Sequence, residues 1–323
     1  MDLFNISTQA LFGQLLVGLI NGSFYALLSL GLALIFGLLH IGNFAHGAQY
    51  MVGAFLAWLL LTYLGVGYWW ALIVVPIVTA LFGMALEYVF IRRIYRLPHV
   101  YGLLLTYGMV LVIEGLFRQA YGTSGYLYPQ PDVFSTGWNL GFMYLPAYRA
   151  WVIAAAIIIC AATWFIIEQT MLGAYLRAAT EKPMLTRALG IRVPLLLTLT
   201  YGFGVGLAGL AGVMAAPIYQ VNALMGSHLM IVAFAIVVIG GVGSIKGAIL
   251  AGFALGVIEG LAKAFYAPLS TTIVFIVMAL VLLIRPAGLF GSSGSSPQIE
   301  STTTSIVHSA ARGRQELVVL WIA

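Results

Sequence analysis

The sequence comprises 323 residues, of which 62% are hydrophobic and only 7% are charged, whereas a soluble domain carries roughly 25% charged residues. This composition, with a mean hydropathy of +1.06, excludes a soluble globular protein and indicates an integral membrane protein. The net charge of +5 does not indicate a nucleic-acid partner, because the basic residues lie in short loops between apolar runs rather than in one patch.

Nine apolar runs follow one another along the chain. The N-terminal stretch "MDLFNISTQA" has no Lys or Arg, so it lacks the basic region of a secretory signal, and we expect the first run to stay in the membrane. Most runs approach the roughly 20 residues that a helix needs to cross the hydrocarbon core. The runs cover residues 11–38, 46–64, 69–91, 101–120, 150–168, 194–216, 228–245, 247–266 and 271–284.

These runs predict an all-α fold, a polytopic helical membrane protein with eight or nine transmembrane segments. They lack the roughly ten-residue alternating segments of a membrane β-barrel. The number of crossings stays open for two reasons. The first run is long and broken by glycines, and the turn at Gly240, Gly241 and Gly243 would also join two short or re-entrant pieces.

The positions of Lys and Arg predict the orientation, because these residues favour the cytoplasmic side of a membrane. With nine crossings, the segments after the third, fifth, seventh and ninth runs share one side and hold most of the basic residues. The N-terminus is then outside and the C-terminus inside, and the aromatic loop 121–149 is external. The basic residues assigned to the cytoplasmic side are Arg92, Arg93, Arg96, Arg177, Lys182, Arg187, Arg192, Lys246 and Arg285.

A change in composition divides the chain into two predicted parts. Residues 1–291 are expected to form the transmembrane domain, with a cytoplasmic loop at 173–193. Residues 292–323 are rich in Ser and Thr and offer too little apolar surface to fold alone. We therefore expect this second part to be a polar, disordered C-terminal tail.

The glycine-rich stretches predict helix packing rather than nucleotide binding. Gly252, Gly256 and Gly260 form two overlapping G-x-x-x-G units, which allow helix backbones to approach closely in a membrane. The stretch "GFGVGLAG" follows no predicted strand, and in "GGVGSIKG" Lys246 is followed by Gly247 rather than Ser or Thr. We therefore expect no ATPase site on this chain. The five histidines stand singly, so no metal site and no catalytic group are predicted either.

Two pairs of opposite charges lie within the apolar runs. Glu114 precedes Arg118 by four residues, and Glu259 precedes Lys263 by the same spacing. Each pair is therefore expected to form an ion pair on one helix face, which reduces the cost of placing charge in a membrane. Such groups would also serve a proton or ion relay, so a transporter driven by an ion gradient is one hypothesis for the function of this chain.

The cytoplasmic loop 173–193 carries the signals of a short helix. Pro183 is tolerated at a helix start, and Gly190 is a favoured residue just beyond a helix end. Between them, the sequence predicts an amphipathic helix from Met184 to Leu189. A short helix with an apolar face fits a groove on a partner protein.

Three stretches of the chain together resemble a known family. They are "LINGSFYALLSLGLALIFGLLHIGNFAHGAQYMVGAF" at 19–55, "GAYLRAATEKPMLTRALGIRV" at 173–193 and "GGVGSIKGAILAGFALGVIE" at 240–259. In that order they resemble the LivH-type family, the permease subunits of ABC importers for branched-chain amino acids. The resemblance runs from about residue 11 to "RPAGLFG". The chain departs from many relatives at Ala48, where they have an acid, and at Lys182, where they have an acid or an amide.

The resemblance implies an ATP-driven import complex in the bacterial cytoplasmic (inner) membrane. It implies a second homologous permease subunit, two cytoplasmic ATP-binding subunits that use the ATP, and an external substrate-binding protein, with no cofactor bound by this chain. The implied function is inward movement of branched-chain or similar small hydrophobic amino acids. Related permeases for urea and short amides have a similar Asn-x-Ala-His-Gly stretch, so these substrates stay an alternative. A channel subunit without energy coupling is a further alternative.

The resemblance also assigns candidate site residues. It places Asn43, His46 and Gly47 in the substrate pathway or at the subunit interface; the alternative is that they tie helix ends together, with Asn43 as a favourable N-cap. The loop 173–193 is implied to be the coupling helix that transmits closure of the ATPases to the membrane helices. The residues assigned to ATPase coupling are Arg177, Ala178, Ala179, Glu181 and Gly190.

Overall fold

The computed structural model describes residues 7–39, 42–95, 97–141 and 143–291. The tail predicted at 292–323 and the basic residue Arg96 lie outside the described residues. The described part contains eleven α-helices. They are α1 (Thr8–Leu39), α2 (Ala45–Leu64), α3 (Tyr68–Val89), α4 (His99–Tyr121), α5 (Ala147–Gln169), α6 (Met171–Glu181), α7 (Pro183–Ala188), α8 (Val193–Ala215), α9 (Met225–Gly240), α10 (Ile245–Phe265) and α11 (Ile273–Ile284). A short antiparallel hairpin pairs β1 (Gly137–Asn139) with β2 (Tyr144–Pro146).

Each predicted apolar run lies largely within one helix. Within the described residues, seven helices are long and apolar enough to cross a membrane, namely α1 to α5, α8 and α10. α9 has 16 residues and α11 has 12, fewer than the roughly 20 that a full crossing needs. The predicted polytopic helical membrane fold is confirmed. The predicted number of eight or nine crossings is approximate, since two of the nine runs form shorter helices.

α1 is the central helix of the described part. Most of its apolar stretch is buried inside the chain, as is more than half of α2 and α8, whereas most of α3, α4, α5 and α10 is not. α1 packs against α10, α8, α5 and α9. The outward side chains of the peripheral helices are apolar, for example Ile73, Leu104 and Ile158. Such residues suit contact with lipid tails, which are as apolar as leucine.

Glycines lie where α10 meets α1. A Cβ added to Gly252 would stand 2.6 Å from the Cα of Ala26, and one added to Gly256 would collide with the backbone of Gly22. Gly260 lies against the backbone of α1 in the same way. The three glycines of the G-x-x-x-G units thus lie on the face of α10 that contacts α1, where no larger residue fits unless one backbone moves.

Left-handed backbone conformations form the turn between α9 and α10. Gly241 has φ +100° and Gly243 has φ +82°, a region that L side chains rarely adopt. Ser244 then caps α10 by accepting a hydrogen bond from the backbone N–H of Gly247 at 3.1 Å. The predicted glycine turn therefore joins a short helix to a full-length one.

The two ion pairs expected within membrane helices do not form in the described part of the chain. Glu114 is buried and accepts a hydrogen bond from Ser227 of α9, and Glu259 accepts one from Tyr25 of α1 at 2.6 Å. The expectation is wrong because each carboxylate faces a hydroxyl on a neighbouring helix, while the cation four residues later is exposed. The exposed cations are Arg118 and Lys263.

Candidate functional site

A group of polar side chains lies fully buried at the start of α2. Asn43 Nδ2 donates to Gln49 Oε1 at 3.4 Å, and Gln49 Nε2 donates to the hydroxyl of Tyr201 on α8 at 3.0 Å. His46 Nε2 lies 3.1 Å from the carbonyl oxygen of Leu28 on α1, and it donates this hydrogen bond because a carbonyl only accepts. Asn43, His46 and Gln49 are each 0% exposed. The group therefore connects α1, α2 and α8.

Gly47 lies where α2 meets α9. A Cβ added there would stand 2.5 Å from the carbonyl oxygen of Gly226. On the side towards α1, a Cβ added to Gly31 would stand 3.0 Å from the ring of His46. Bulk added at Gly47 or at Gly31 would therefore displace the start of α2.

Asn43 does not cap α2. The cap position belongs to Phe44, and the backbone N–H of Phe44 donates to the hydroxyl of Thr106 on α4 at 3.3 Å. The same hydroxyl lies 3.1 Å from the carbonyl oxygen of Gly42. The expected N-cap is wrong because the side chain of Asn43 turns inward to Gln49, while a threonine from another helix binds the backbone at this helix start.

Two atoms of the buried group have no hydrogen-bond partner within the described part of the chain, Asn43 Oδ1 and His46 Nδ1. The remaining bonds join His46 to α1, and they join Asn43 to α8 only through Gln49. Their assignment, with Gly47, to the substrate pathway or the subunit interface stays a prediction.

The segment assigned to ATPase coupling is a helical hairpin made of α6 and α7. α7 begins and ends one residue before the predicted helix 184–189. Gly190 has φ +83°, and its N–H donates to the carbonyl oxygen of Arg187 at 2.9 Å. The N–H of Ile191 donates to the carbonyl oxygen of Thr186 at 3.3 Å. This pair of bonds is the Schellman motif, and Gly190 ends the helix as predicted.

Hydrogen bonds to backbone carbonyls give the hairpin its shape. Arg177 Nη1 donates at 3.0 Å to the carbonyl oxygen of Ile167, one of the last carbonyls of α5, which have no partner inside their own helix. The hydroxyl of Thr186 donates to the carbonyl oxygen of Ala178 at 2.8 Å and so joins α7 to α6. Of the assigned residues, only Ala179 is buried, while Arg177 and Ala178 are exposed and contribute one hydrogen bond each, Ala178 through its backbone carbonyl.

The outer surface of the hairpin carries an apolar patch among exposed charged residues. Met184, Leu185 and Leu189 are 78%, 61% and 81% exposed, and Glu181 is exposed beside them. The hairpin does not belong to the helices that are long enough to cross a membrane. An exposed apolar patch of this kind marks a site of interaction with another molecule.

A second buried cluster, which the sequence analysis missed, joins α3 to the start of α8 directly after the hairpin. The carboxylate of Glu87, 0% exposed, accepts hydrogen bonds from Arg92 Nε at 3.4 Å and from the hydroxyls of Tyr95 and Thr198, each at 2.7 Å. Burial and the Glu87 carboxylate raise the pKa of Tyr95 above its usual value. The available signal was an acid near the end of an apolar run, five residues before Arg92.

The fold and these sites define a class of protein, the membrane permeases. Apolar helices cross the bilayer, polar groups are buried between them, and a hairpin with an apolar patch projects from the same chain. Within the described residues, no group of three or more His, Cys, Asp or Glu is placed to hold a metal ion.

The comparisons with known proteins identify the family. The family model described as "Branched-chain amino acid transport system / permease component" matches residues 14–284, and the chain belongs to this family. It is 28% identical to the high-affinity branched-chain amino acid transport system permease protein LivH of Escherichia coli K12 over 302 residues, which cover 89% of this chain and 96% of LivH.

Two further relatives extend the comparison. The chain is 30% identical to the high-affinity branched-chain amino acid transport system permease protein BraD of Pseudomonas aeruginosa over 303 residues, which cover 89% of this chain and 96% of BraD. It is 26% identical to the permease protein LivM of the Escherichia coli K12 system over 316 residues, which cover 90% of this chain and 72% of LivM. No solved structure matches the chain.

Proposed function

We propose that this chain is one of two dissimilar permease subunits of an ATP-driven importer, which moves branched-chain or similar small hydrophobic amino acids inward across the bacterial cytoplasmic membrane. The names of LivH and BraD, each of which aligns with most of the chain, support this substrate class. In this proposal the chain supplies the membrane path and binds no cofactor, and ATP is used by partner subunits.

The observation that carries the proposal is the apolar patch on the outer surface of the α6–α7 hairpin. Met184, Leu185 and Leu189 offer the apolar face that a groove on an ATPase subunit would cover. The Schellman turn at Gly190 and the hydrogen bond from Arg177 to α5 make the hairpin a shaped projection. A movement of the bound partner would therefore pass to α5 and α8 instead of being absorbed by a flexible loop.

The proposed complex contains two cytoplasmic ATPase subunits, a second permease subunit and an external substrate-binding protein. LivH and LivM are both named as permease proteins of the high-affinity branched-chain amino acid transport system in Escherichia coli, and both are related to this chain. That relationship supports a second permease homologous to this one. The binding protein would set the choice of substrate, so the path needs only weak and transient contacts.

The charge of the hairpin supports the orientation. Its segment contains Arg177, Lys182, Arg187 and Arg192, and basic residues favour the cytoplasmic side. We therefore propose that the N-terminus is outside and the C-terminus inside. The start of α2, with Asn43 and His46, then lies towards the cytoplasmic side.

An ion-gradient-driven transporter is the second candidate. Glu114 and Glu259 favour it, because carboxylates within membrane helices are the groups that a proton or ion relay uses. This candidate gives no role to the exposed apolar face of α7. An importer of urea or short amides shares the proposed mechanism and differs only in substrate.

Uptake with and without ATP separates these candidates. Labelled leucine uptake would be measured in vesicles that contain this subunit, its partner permease and the ATPases, with excess binding protein outside. Uptake that requires internal ATP is the expected result. Uptake that ignores ATP and collapses with an ionophore would overturn the proposal, and labelled urea and acetamide in the same vesicles test the amide alternative.

A further inference from the structure

A cavity of about 550 Å³ lies among the central helices. Its walls come from α1, α2, the segment between α8 and α9, and α9. The volume falls within the range of roughly 300–1,000 Å³ that is usual for small-molecule sites. Neither the buried group around Asn43 nor the hairpin contributes to its lining. The cavity is therefore a chamber separate from both sites described above.

The lining of the cavity is amphipathic. One part is apolar, with Phe24, Ile218, Met225 and Leu229. The other part carries hydroxyl and amide groups, and within it the hydroxyl of Tyr219 donates to Asn21 Oδ1 at 2.9 Å. A small molecule with an apolar side chain at one end and polar groups at the other matches this division.

One polar atom of the lining has no partner. Tyr50 is 0% exposed and lines the cavity, and its hydroxyl has no hydrogen-bond partner within the described residues. Buried polar groups in natural structures are nearly always hydrogen-bonded, so such an exception needs an explanation. A ligand in the cavity that accepts a hydrogen bond would provide one.

Charges of both signs act on the cavity. Tyr25, another lining residue, donates its hydroxyl proton to Glu259 Oε2 at 2.6 Å. Tyr219 lies between α8 and α9; burial raises its pKa, Arg149 lowers it and Glu259 raises it. The side chain of Arg149 forms no hydrogen bond or ion pair in the described part of the chain. An anionic and a cationic side chain thus both influence this space.

From the cavity, its apolar wall and the free hydroxyl, we infer that this chamber is the substrate site of the translocation path and takes a zwitterionic amino acid with a small apolar side chain. The Tyr25–Glu259 pair faces the ammonium group, the Tyr50 hydroxyl donates to the carboxylate, and the apolar wall contacts the side chain. The inference rests on the proposed function and adds the residues that recognise the substrate inside the membrane domain.

Tyr50→Phe tests the inference, with Tyr128→Phe as a matched control. Both tyrosines are buried and both hydroxyls lack a partner in the described part of the chain, but Tyr128 does not line the cavity. Neither substitution removes a hydrogen bond within the chain, so both variants are expected to fold. In vesicles with the complete transporter, Tyr50→Phe should lower the leucine imported per ATP hydrolysed about fivefold, the loss expected for one hydrogen bond. Tyr128→Phe should match the unchanged protein.

Glu259→Gln gives an independent measurement. The amide oxygen still accepts the hydrogen bond from Tyr25, so the change removes mainly the negative charge. Leucine imported per ATP should fall about tenfold or more, because hydrogen bonds to charged groups are the stronger ones. Total uptake and the amount of folded transporter are measured in parallel. If total uptake falls only in step with the amount of folded protein, while leucine imported per ATP is unchanged, these residues are structural and the inference is overturned.

The outcomes separate the inference from the proposed function. If the unchanged protein imports leucine with ATP and both Tyr50→Phe and Glu259→Gln import it equally well, the inference is wrong and the importer stands. If the unchanged protein shows no ATP-dependent leucine uptake, the proposed function fails and the inference fails with it.

Discussion

The α1–α10 interface and the α6–α7 hairpin use their residues in opposite ways. Between α1 and α10, glycines bring two apolar helices into backbone contact, and the contact is made within the chain. On the hairpin, leucine and methionine side chains stay uncovered, while the hydrogen bonds beneath them hold its shape. The α1–α10 contact is thus made within one chain, whereas the apolar side chains of the hairpin are left uncovered by the described part of the chain.

Gly256→Leu is expected to have the largest effect, because it disrupts the α1–α10 interface. The added side chain would enter the backbone of Gly22, and overpacking of a tight contact costs about 1–3 kcal/mol or more. We expect the midpoint of thermal unfolding in detergent to fall by about 5–10 °C. Gly115→Leu in α4, where an added Cβ meets open space, is the matched control. Equal midpoints for the two variants would contradict the close packing of α1 and α10.

Gly190→Arg tests the α6–α7 hairpin. Arginine in the left-handed conformation of Gly190 (φ +83°) costs about 1–2 kcal/mol, and its charge would enter the partner's groove. Co-purification of the ATPases and ATP-dependent uptake should fall about tenfold, equivalent to about 1.4 kcal/mol of binding, while the protein still inserts in the membrane. Gly65, directly after the C-terminal end of α2, is also left-handed (φ +63°). Gly65→Arg is therefore the matched control, and it should keep both co-purification of the ATPases and ATP-dependent uptake. Normal uptake by Gly190→Arg would count against coupling through the hairpin.

Glu87→Gln sharpens the comparison at the buried cluster that joins α3 to the start of α8, directly after the hairpin. The change removes the buried charge that binds Arg92, just after α3, and Thr198, near the start of α8, so the free energy of unfolding should fall by about 1–3 kcal/mol. Glu168→Gln removes a partly exposed salt bridge to Lys246 of 3.3 Å and should cost about 0–1 kcal/mol. Unfolding measured for both variants in the same detergent checks the difference, and a larger loss for Glu168→Gln would refute it.

Asn43→Leu is expected to have the smallest effect. The change removes one buried hydrogen bond of 3.4 Å to Gln49, which should lower stability by about 1 kcal/mol. Because Asn43 is fully buried and its side chain binds Gln49 of the same chain, we expect leucine uptake per folded transporter to be retained. Reduced uptake at unchanged stability would instead support its assignment to the substrate pathway.

Local chemistry made parts of the structure predictable from the sequence. Pro183 and Gly190 mark the two ends of α7, and the composition of each apolar run predicts its helix. The sequence did not predict α6, because its start follows α5 after one residue and its position depends on the bond from Arg177 to a carbonyl of the preceding helix. A loop and a helix are hard to distinguish when tertiary contacts decide between them.

The polar partners were the least predictable part. Spacing along one helix suggested ion pairs for Glu114 and Glu259, but each carboxylate binds a hydroxyl on another helix. In the same way, Gln49 connects Asn43 to Tyr201 of α8, which is distant in the sequence. Sequence spacing describes neighbours on a single helix, whereas the partner of a buried polar group depends on how the helices pack.

The central position of α1 has a consequence for how the protein is made. Its glycine-lined face is covered by α10, and roughly 200 residues of chain must be synthesised after α1 before α10 is complete, which takes roughly 10–40 seconds at about 5–20 residues per second. During that time the first helix waits in the membrane with this face open to lipid or to an insertion factor. A chain that stops before α10 would keep that face uncovered, so the packing around α1 is completed only after α10 has been made.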